Sequence, residues 1–295
     1  MLSQGVAEPI VPLHPKRLQA LFGLKFNPFA PDIPVVDLYR PPLVQSYCFR
    51  IDHLAREGGF ALICGEHGTG KSAVLRILQQ HLASQPELAV AVLTRPQSIV
   101  ADFYRELGEL FGVRLSPHNR WAGSKILRER WLTHIQSVLF RPVLLVDEAQ
   151  EMLPPVIAEL RLLQSKDLDS FHLLTVVLCG DHRLAEKLRQ PELAALDSRI
   201  RCRLALQRTT PQELSACLNH LLQKAGNPGL MTKPLQDTLC EHSMGNLRLL
   251  MNLSNELLTA AAERQLDQLD EKLFLEFFSA QQTQLKPPRS HGRSR

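Results

Sequence analysis

Short apolar runs alternate with longer segments of helical periodicity between residues 46 and 208. Five of these runs are strand-sized and cover residues 60–64, 89–93, 143–146, 173–179 and 202–206. The segment after the first run repeats its apolar residues at helical spacing, with Val74, Ile77 and Leu78 on one face. Apolar runs separated by helices are typical of a parallel sheet that is buried on both faces. The pattern therefore predicts an α/β domain over residues 46–208 with a five-stranded parallel sheet.

The segments on either side of this region have different patterns. Residues 1–45 contain eight prolines and little periodicity, so we expect a Pro-rich arm that lies extended on a core. After residue 208 the strand-sized runs stop. Thr210 then begins a helix signature, with Pro211 in the first turn and Glu213 three residues after the cap. We predict a small all-α domain over residues 209–280 and a basic, disordered tail over residues 281–295.

The composition is typical of a soluble globular protein. The 295 residues are 44% hydrophobic and 22% charged, which excludes a disordered chain, a coiled coil and a collagen-like repeat. No apolar stretch approaches the roughly 20 residues of a membrane span. The N-terminus lacks the basic start and apolar block of a signal peptide. We therefore expect a cytoplasmic protein with no membrane partner.

Charge and cysteine content add little to this picture. The net charge of +4 comes from 34 basic and 30 acidic residues. Four of the basic residues lie among the last ten, which contain no acid, so the rest of the chain is balanced at 30 against 30. The tail is either a solvated end or a weak phosphate-binding segment. The six cysteines are at least 15 residues apart, so we assign no structural metal.

The strongest chemical signal is the sequence GEHGTGKS at residues 65–72, which fits the pattern G-x-x-x-x-G-K-[ST]. It follows a predicted strand and opens a predicted helix. Glycines let backbone N–H groups turn toward phosphate oxygens, and the helix N-terminus adds partial positive charge. Lys71 is expected to reach the β- and γ-phosphates, and the Ser72 hydroxyl to coordinate Mg²⁺. The nucleotide-binding residues predicted from this loop are Gly65, Glu66, His67, Gly68, Thr69, Gly70, Lys71 and Ser72.

An acid pair follows another buried strand. Asp147 and Glu148 come directly after the run VLLV, and Asp147 is 76 residues after Lys71. We expect the pair at the carboxyl edge of the sheet, where ligands bind in such folds. Asp147 would hold Mg²⁺, and Glu148 would orient and help deprotonate the attacking water. Because transfer to a small substrate needs no water-activating acid at this position, the pair favours hydrolysis.

Arginines provide a third signal. Arg199 and Arg201 alternate at the start of the last predicted strand, and Arg248 opens a helix after Gly245. The helix dipole disfavours an arginine at a helix N-terminus, so Arg248 suggests a negatively charged target. Arg199 or Arg201 is either an arginine finger that completes the site of a neighbouring subunit or part of a solvated edge.

The order of these motifs resembles that of an AAA+ ATPase. The sequences FGLKFNPF, LLVDEAQ and GNLRLLMNLSNELL are similar to those of the ExeA-type ATPases, a branch related to the transposon ATPases TnsC, TniB and MuB. The resemblance covers roughly residues 20–280. It implies an αβα sandwich followed by a helical lid, ATP and Mg²⁺ as cofactors, and a γ-phosphate contact from Arg248. The resemblance places the γ-phosphate sensor at Asp181. Because an acid there would repel phosphate, Asp181 is either this sensor or a plain loop residue.

The resemblance also implies a function. ExeA proteins carry a membrane segment and a peptidoglycan-binding domain after the ATPase part, whereas this chain ends in a basic tail. We therefore expect a homo-oligomeric ring or filament that assembles on double-stranded DNA and regulates a DDE-type transposase. The alternative is a secretion or envelope-assembly ATPase with a protein or membrane partner. A slowly hydrolysing nucleotide switch is a third hypothesis.

Two segments are candidates for DNA contacts. LTRPQS at residues 93–98 is similar to a DNA-facing stretch of TnsC-like proteins. The segment HNRWAGSKILRER at residues 118–130 offers amide and basic side chains suited to phosphate contacts. A solvated loop and helix face explains both segments equally well. We expect Trp121 and Trp131 to anchor the core or a subunit interface. The candidate DNA-contacting residues are Arg95, Gln97, Ser98, Asn119, Arg120, Ser124 and Lys125.

Overall fold

The chain forms two compact units, and the computed structural model describes residues 15–115, 120–137, 141–166 and 170–284. The α/β unit contains residues 40–208. The helical unit combines the described residues up to Tyr39 with those from Thr209 onward. The strands are β1 (Gly59–Gly65), β2 (Leu88–Leu93), β3 (Arg141–Val146), β4 (Ser165–Lys166), β5 (Phe171–His172), β6 (Thr175–Gly180) and β7 (Ile200–Leu206). The α-helices are α1 (Pro15–Leu21), α2 (Pro42–Glu57), α3 (Lys71–Ala83), α4 (Val100–Leu110), α5 (Arg120–Ser137), α6 (Pro154–Gln164), α7 (His182–Leu188), α8 (Ala194–Asp197), α9 (Pro211–Ala225), α10 (Lys233–His242), α11 (Leu247–Glu263) and α12 (Glu271–Gln284).

Five strands form one parallel sheet in the order β2-β3-β6-β1-β7. Within it, Thr175 of β6 is level with both Val143 of β3 and Gly59 of β1. Parallel strands that start level also end at the same edge, so the turns after β3, β6 and β1 lie side by side. The predicted five-stranded parallel sheet is confirmed, and each strand lies within two residues of its predicted bounds.

Both faces of the sheet are covered, as its uniformly apolar strands require. Phe60, Leu144 and Leu178 belong to a core that includes buried side chains of α4, α5, α6 and α7. Helices α2 and α3 pack against strands of the same sheet. Each apolar side chain that is fully buried in this way stabilises the fold by roughly 1.5–3 kcal/mol relative to an exposed one. Burial of these side chains therefore stabilises the sheet that carries the site.

A short antiparallel pair precedes β6 and was not predicted. Ser165 and Lys166 of β4 pair with His172 and Phe171 of β5. The Leu173 N–H then donates to the Gln164 carbonyl at 2.7 Å, and β6 starts only at Thr175 rather than at the predicted residue 173. Two residues per strand are too few to show an alternation of apolar and polar positions, which explains why the sequence pattern misses this pair.

The region after residue 208 is helical, as predicted. Thr210 forms a capping box with Glu213 at the start of α9. Thr232 and Asn246 cap α10 and α11 through their own side chains. Among the described residues after residue 208, four helices rather than about three contribute to the apolar core of this unit, and α12 runs to Gln284, into the predicted tail. Residues 285–295 of that tail lie outside the described residues. Within the described part of the chain, no helix combines the length and hydropathy needed to cross a membrane.

The N-terminal arm is the main correction to the predicted organisation. Its described residues form α1, a 3-10 turn at Val35–Asp37 and connecting loops, and α2 already begins at Pro42. Phe22, Leu24 and Phe29 are buried in the core of the helical unit. The Lys25 N–H donates to the Ala225 carbonyl at 2.8 Å, which ties the segment to the end of α9. Residues 15–39 are therefore part of the helical unit rather than an arm that extends to residue 45.

Replacing Phe22 tests this assignment. Phe22 is 4% exposed, whereas Phe49 on α2 is 64% exposed. We expect Phe22→Ala to lower the free energy of unfolding of the helical unit by about 3 kcal/mol, because it leaves a cavity. The exposed control Phe49→Ala should change stability by no more than about 0.5 kcal/mol. Urea unfolding followed by circular dichroism measures both, and equal effects of the two variants would contradict the assignment.

Candidate nucleotide-binding site

The loop between β1 and α3 has the backbone shape that a phosphate site needs. Gly68 and Gly70 have φ angles of +80° and +92°, which favour glycine. At Gly65, a Cβ atom would lie 2.6 Å from the Leu206 carbonyl oxygen. Gly70 is the N-cap of α3 and contributes no side-chain acceptor. The first N–H groups of α3 are therefore available to an anion.

The Lys71 side chain folds back onto main-chain carbonyl groups of the loop. Its side chain is buried, and its Nζ donates to the Gly65 carbonyl at 3.0 Å and to the Glu66 carbonyl at 2.9 Å. The Thr69 hydroxyl also donates to the Glu66 carbonyl, at 2.8 Å. Ser72, the next residue of α3, is exposed. A glycine-lined loop with a lysine ammonium group and an uncapped helix N-terminus fits the phosphates of a nucleotide.

Two side chains of the loop contact neighbouring segments. The Glu66 carboxylate accepts from Arg208 Nε at 3.0 Å, beyond the end of β7. His67 Nε2 lies 3.4 Å from Asp181 Oδ2, beyond the end of β6. Both side chains of the Glu66–Arg208 pair are more than half exposed, so solvent screens this pair and it contributes little stability.

The acid pair lies at the same edge of the sheet as the phosphate loop. Asp147 follows the last residue of β3, and β6 separates β3 from β1. Two strand spacings place the acid pair about 10 Å across the sheet from the loop. Glu148 is exposed and has a φ of +50°, and its N–H donates to Asp147 Oδ1 at 2.9 Å. Asp147 and Ser72 are the residues that would hold Mg²⁺ between the two segments.

The end of β6 contributes a buried thiol beside Asp147. Cys179 is fully buried, and burial raises the pKa of its thiol well above the ordinary value, with a further contribution from the neighbouring Asp147 carboxylate. The thiol therefore stays protonated at neutral pH and can donate its S–H to Asp147. Cys64, at the end of β1, is half-buried, and burial likewise raises its pKa. Both cysteines have the small, apolar character expected from the sequence.

Asp181 acts as a helix cap and an ion-pair partner. Its carboxylate accepts from the Arg183 N–H at 2.9 Å, as the N-cap of α7, and from Arg183 Nε at 2.9 Å. Burial would raise the pKa of this fully buried group, but the hydrogen bonds from Arg183 outweigh it and hold the pKa below the ordinary value. Both carboxylate oxygens are thus engaged by Arg183. The sequence predicted either a phosphate sensor or a plain loop residue at Asp181, and not a cap, although an acid followed by a helical run is a recognisable capping signal.

Arg199 and Arg201 lie far from the phosphate loop of their own chain. Ile200 is level with Phe60 at the start of β1, whereas the loop follows the last residue of β1. Arg201 Nη1 lies 2.6 Å from Glu57 Oε2, and both side chains are about half exposed. The pair therefore sits at the amino edge of the sheet, opposite the site of the same chain.

Arg248 lies in the helical unit, in the first turn of α11. Its side chain is exposed. The N-cap of this helix is Asn246, whose side chain accepts from the Leu249 N–H at 3.0 Å. Gly245, which precedes the cap, has a φ of +79°. The cap fixes where α11 begins and so keeps Arg248 at its N-terminal end.

The candidate DNA-contacting residues are on two elements. Arg95 and Gln97 are exposed and Ser98 is half-buried in the turn after β2, while Lys125 is exposed and Ser124 half-buried on α5. Asn119 and the side chain of Arg120 lie outside the described residues. Trp131 is 1% exposed and belongs to the core, as expected. Trp121 is 74% exposed with Lys125 Nζ 5.6 Å from its ring centroid, so it is not a core residue.

Comparison with known proteins assigns the α/β unit to a class. Residues 54–188 match a protein family described as an AAA domain. The parallel sheet, the phosphate loop and the acid pair at one edge agree with this match. The α/β unit thus has the AAA+ P-loop ATPase fold, and a helical region follows it in the chain.

A named relative is similar to this chain over most of the chain's length. The chain is 38% identical over 212 residues to general secretion pathway protein A of Aeromonas hydrophila. That match covers 70% of this chain but only 38% of the relative, so the chain spans less than half of the relative's length.

Solved structures share the fold at low sequence identity. Cdc6p of Pyrobaculum aerophilum has a TM-score of 0.66 and 14% identity, over 82% of this chain and 67% of that one. The ORC1 protein of Aeropyrum pernix in complex with DNA has a TM-score of 0.63 and 19% identity, over 86% of this chain and 68% of that one. The RuvB Holliday junction branch migration motor of Thermotoga maritima has a TM-score of 0.55 and 15% identity, over 86% of this chain and 73% of that one. These likenesses establish the fold alone.

The pairing of Asp181 with Arg183 predicts a pH dependence of stability. Asp181→Ala should lower the free energy of unfolding at pH 7 by about 1–2 kcal/mol, because it removes the cap. Asp181→Asn keeps a capping oxygen and loses the charge, so its effect should be smaller. A carboxylate with a depressed folded pKa contributes fully above its unfolded value of about 4 and loses its contribution as the pH falls through the folded value.

The difference in unfolding free energy between the wild type and Asp181→Asn should therefore shrink as the pH falls from about 5 to about 2. Urea unfolding across this range measures it. A difference that grows on acidification would contradict the pairing.

Proposed function

We propose that the α/β unit binds ATP with Mg²⁺ and hydrolyses it to ADP and phosphate. The observation that carries this proposal is the placement of the Lys71 loop and the Asp147–Glu148 pair at one edge of the sheet, two strand spacings apart. The loop supplies the donors that phosphates need, and the acid pair supplies a metal ligand and a base. An edge of the sheet with only a structural role would not require a phosphate-binding loop and an acid pair side by side.

Each residue has a distinct task in the proposed reaction. The N–H groups of residues 65–72 and the Lys71 ammonium group would bind the phosphates. Ser72 and Asp147 would hold Mg²⁺, which neutralises charge that develops on the phosphate oxygens. Glu148, which is exposed and hydrogen-bonded through its N–H to Asp147, would orient the attacking water and accept its proton. The contact of Arg248 with the γ-phosphate stays a prediction from the sequence.

We further propose that nucleotide binding drives self-association. Arg199 and Arg201 lie at the edge opposite the phosphate loop of their own chain, so they cannot complete that site. A neighbouring copy could present them to it, as an arginine finger does. For Arg201, this contact would replace the present ion pair with Glu57. Asp181 would then support the site through its contacts with Arg183 and His67 rather than by binding phosphate directly.

At the level of the whole protein, we propose a secretion or envelope-assembly ATPase that works with a protein partner. The 38% identity to general secretion pathway protein A favours this function over the transposition regulator that the sequence first suggested. A second candidate is retained because of α5, where the exposed Trp121 stands beside the exposed Lys125. Such a surface suits double-stranded DNA in a complex with a DDE-type transposase.

Two substitutions separate nucleotide binding from hydrolysis. Lys71→Ala should weaken ATP binding at least about tenfold, because it removes a charge-assisted phosphate contact. Glu148→Gln should leave ATP affinity nearly unchanged and lower kcat about 100-fold or more, because it removes the base. Lys272, which is 83% exposed on α12, provides the control substitution Lys272→Ala. Equilibrium binding of a fluorescent ATP analogue and phosphate release measure the two effects. Full activity of Lys71→Ala would refute the site.

Assembly distinguishes the two whole-protein candidates. We expect sedimentation with a slowly hydrolysed ATP analogue to show oligomers that are absent with ADP and that form without DNA. If oligomers form only on duplex DNA, and lose DNA steeply as salt rises, the transposition regulator is favoured instead. In that case Trp121→Ala and Lys125→Ala should weaken DNA binding, while Lys272→Ala should not.

A further inference from the structure

Gln150 connects the acid pair to the neighbouring strand. It lies two residues after Glu148 and is only 5% exposed. Its Nε2 donates to Glu148 Oε2. Its Oε1 accepts from the Asp181 N–H at 3.2 Å, at the end of β6. One amide group is therefore hydrogen-bonded both to Glu148, the proposed base, and to Asp181, which follows β6.

The surroundings of Gln150 fix this amide in place. A Cβ atom at Gly180 would lie 2.5 Å from Gln150 Oε1, so the bare backbone at this position gives the amide its space. Lys187 on α7 donates its Nζ to the main-chain carbonyls of Gln150 and, at 2.8 Å, of Met152. Both the side chain and the backbone of Gln150 are thus held by segments from outside its own turn.

Glu148 lacks comparable restraint elsewhere in its described contacts. Its side chain is exposed at the edge of the sheet. An exposed carboxylate on a flexible stem samples several rotamers. The donation from Gln150 selects one of them, at the edge of the sheet where the phosphate loop ends.

We propose that Gln150 is the positioning residue for Glu148 and that it links the position of this base to the end of β6. This inference rests on the proposed hydrolysis of ATP. The hydrogen bond from Gln150 keeps the Glu148 carboxylate at one distance from the phosphate loop. A shift at the end of β6 would move the Asp181 N–H, and the amide of Gln150 would pass this movement on to Glu148. Gln150 therefore affects the chemical step and not the binding of the phosphates.

A pair of substitutions separates the two ends of the amide. Gln150→Met keeps the volume of the side chain and removes both hydrogen bonds. Gln150→Glu keeps an acceptor for the Asp181 N–H and removes the donor toward Glu148. Both variants should lower kcat about 10-fold to 100-fold, with KM and ATP affinity within about twofold of the wild type. Gln236→Met makes the same exchange at a buried glutamine of the helical unit and should leave kcat unchanged.

A double-mutant cycle tests whether Gln150 acts through Glu148. In single-turnover assays, Gln150→Met should have no further effect in a Glu148→Gln background, because the group that it positions is gone. Additive losses would overturn the proposal and indicate a packing role. A kcat of Gln150→Glu equal to that of the wild type would also overturn it.

The outcomes remain separable from those for the proposed function. If the wild type binds ATP but releases no phosphate, the proposed hydrolysis fails. If the wild type hydrolyses ATP and the Gln150 variants do so equally well, only the positioning role fails. Thermal unfolding of each variant checks that it is folded, and ATP binding by Gln150→Glu provides a second check that does not depend on turnover.

Discussion

The register of the three central strands is the constraint on which the site depends. Val146 of β3 is level with Leu178 of β6, and Cys179 is level with Ile63 of β1. The next position of β3 is Asp147, which therefore lies beside Cys179. Because side chains alternate between the faces of a strand, a slip of one residue would turn Asp147 to the opposite face of the sheet. The buried apolar residues that fix the register thus also place the metal ligand.

Local patterns predicted the features that depend on neighbouring residues in the chain. The strands, the phosphate loop and the cap at Thr210 each lie within a few consecutive residues, and spacing was sufficient to find them. The helix cap at Asp181 was equally local but was weighed as a phosphate sensor. The amide of Gln150 joins groups 31 residues apart, and only the strand order brings them together. No spacing rule reveals such a contact.

The helical unit shows the same limit at longer range. Phe22 and Phe29 lie in the segment that was predicted to be an extended arm, but their partners in the core lie about two hundred residues later in the chain. The α/β unit is inserted between Tyr39 and Thr209, so the helical core forms only after these distant segments meet. Loop closure on this scale adds an entropic cost that grows slowly with length. The hydrogen bonds of Lys25 to Ala225 and of Asn227 to Phe22 close that loop.

The buried position of Lys71 has a consequence for how a ligand enters. The ammonium group of Lys71 already donates hydrogen bonds to the carbonyl groups of Gly65 and Glu66, so it serves as an internal donor for the loop. A triphosphate that recruits this group must compete with those carbonyls. Nucleotide entry is then an exchange of partners rather than a simple addition, and the heat of binding is the difference between two sets of hydrogen bonds.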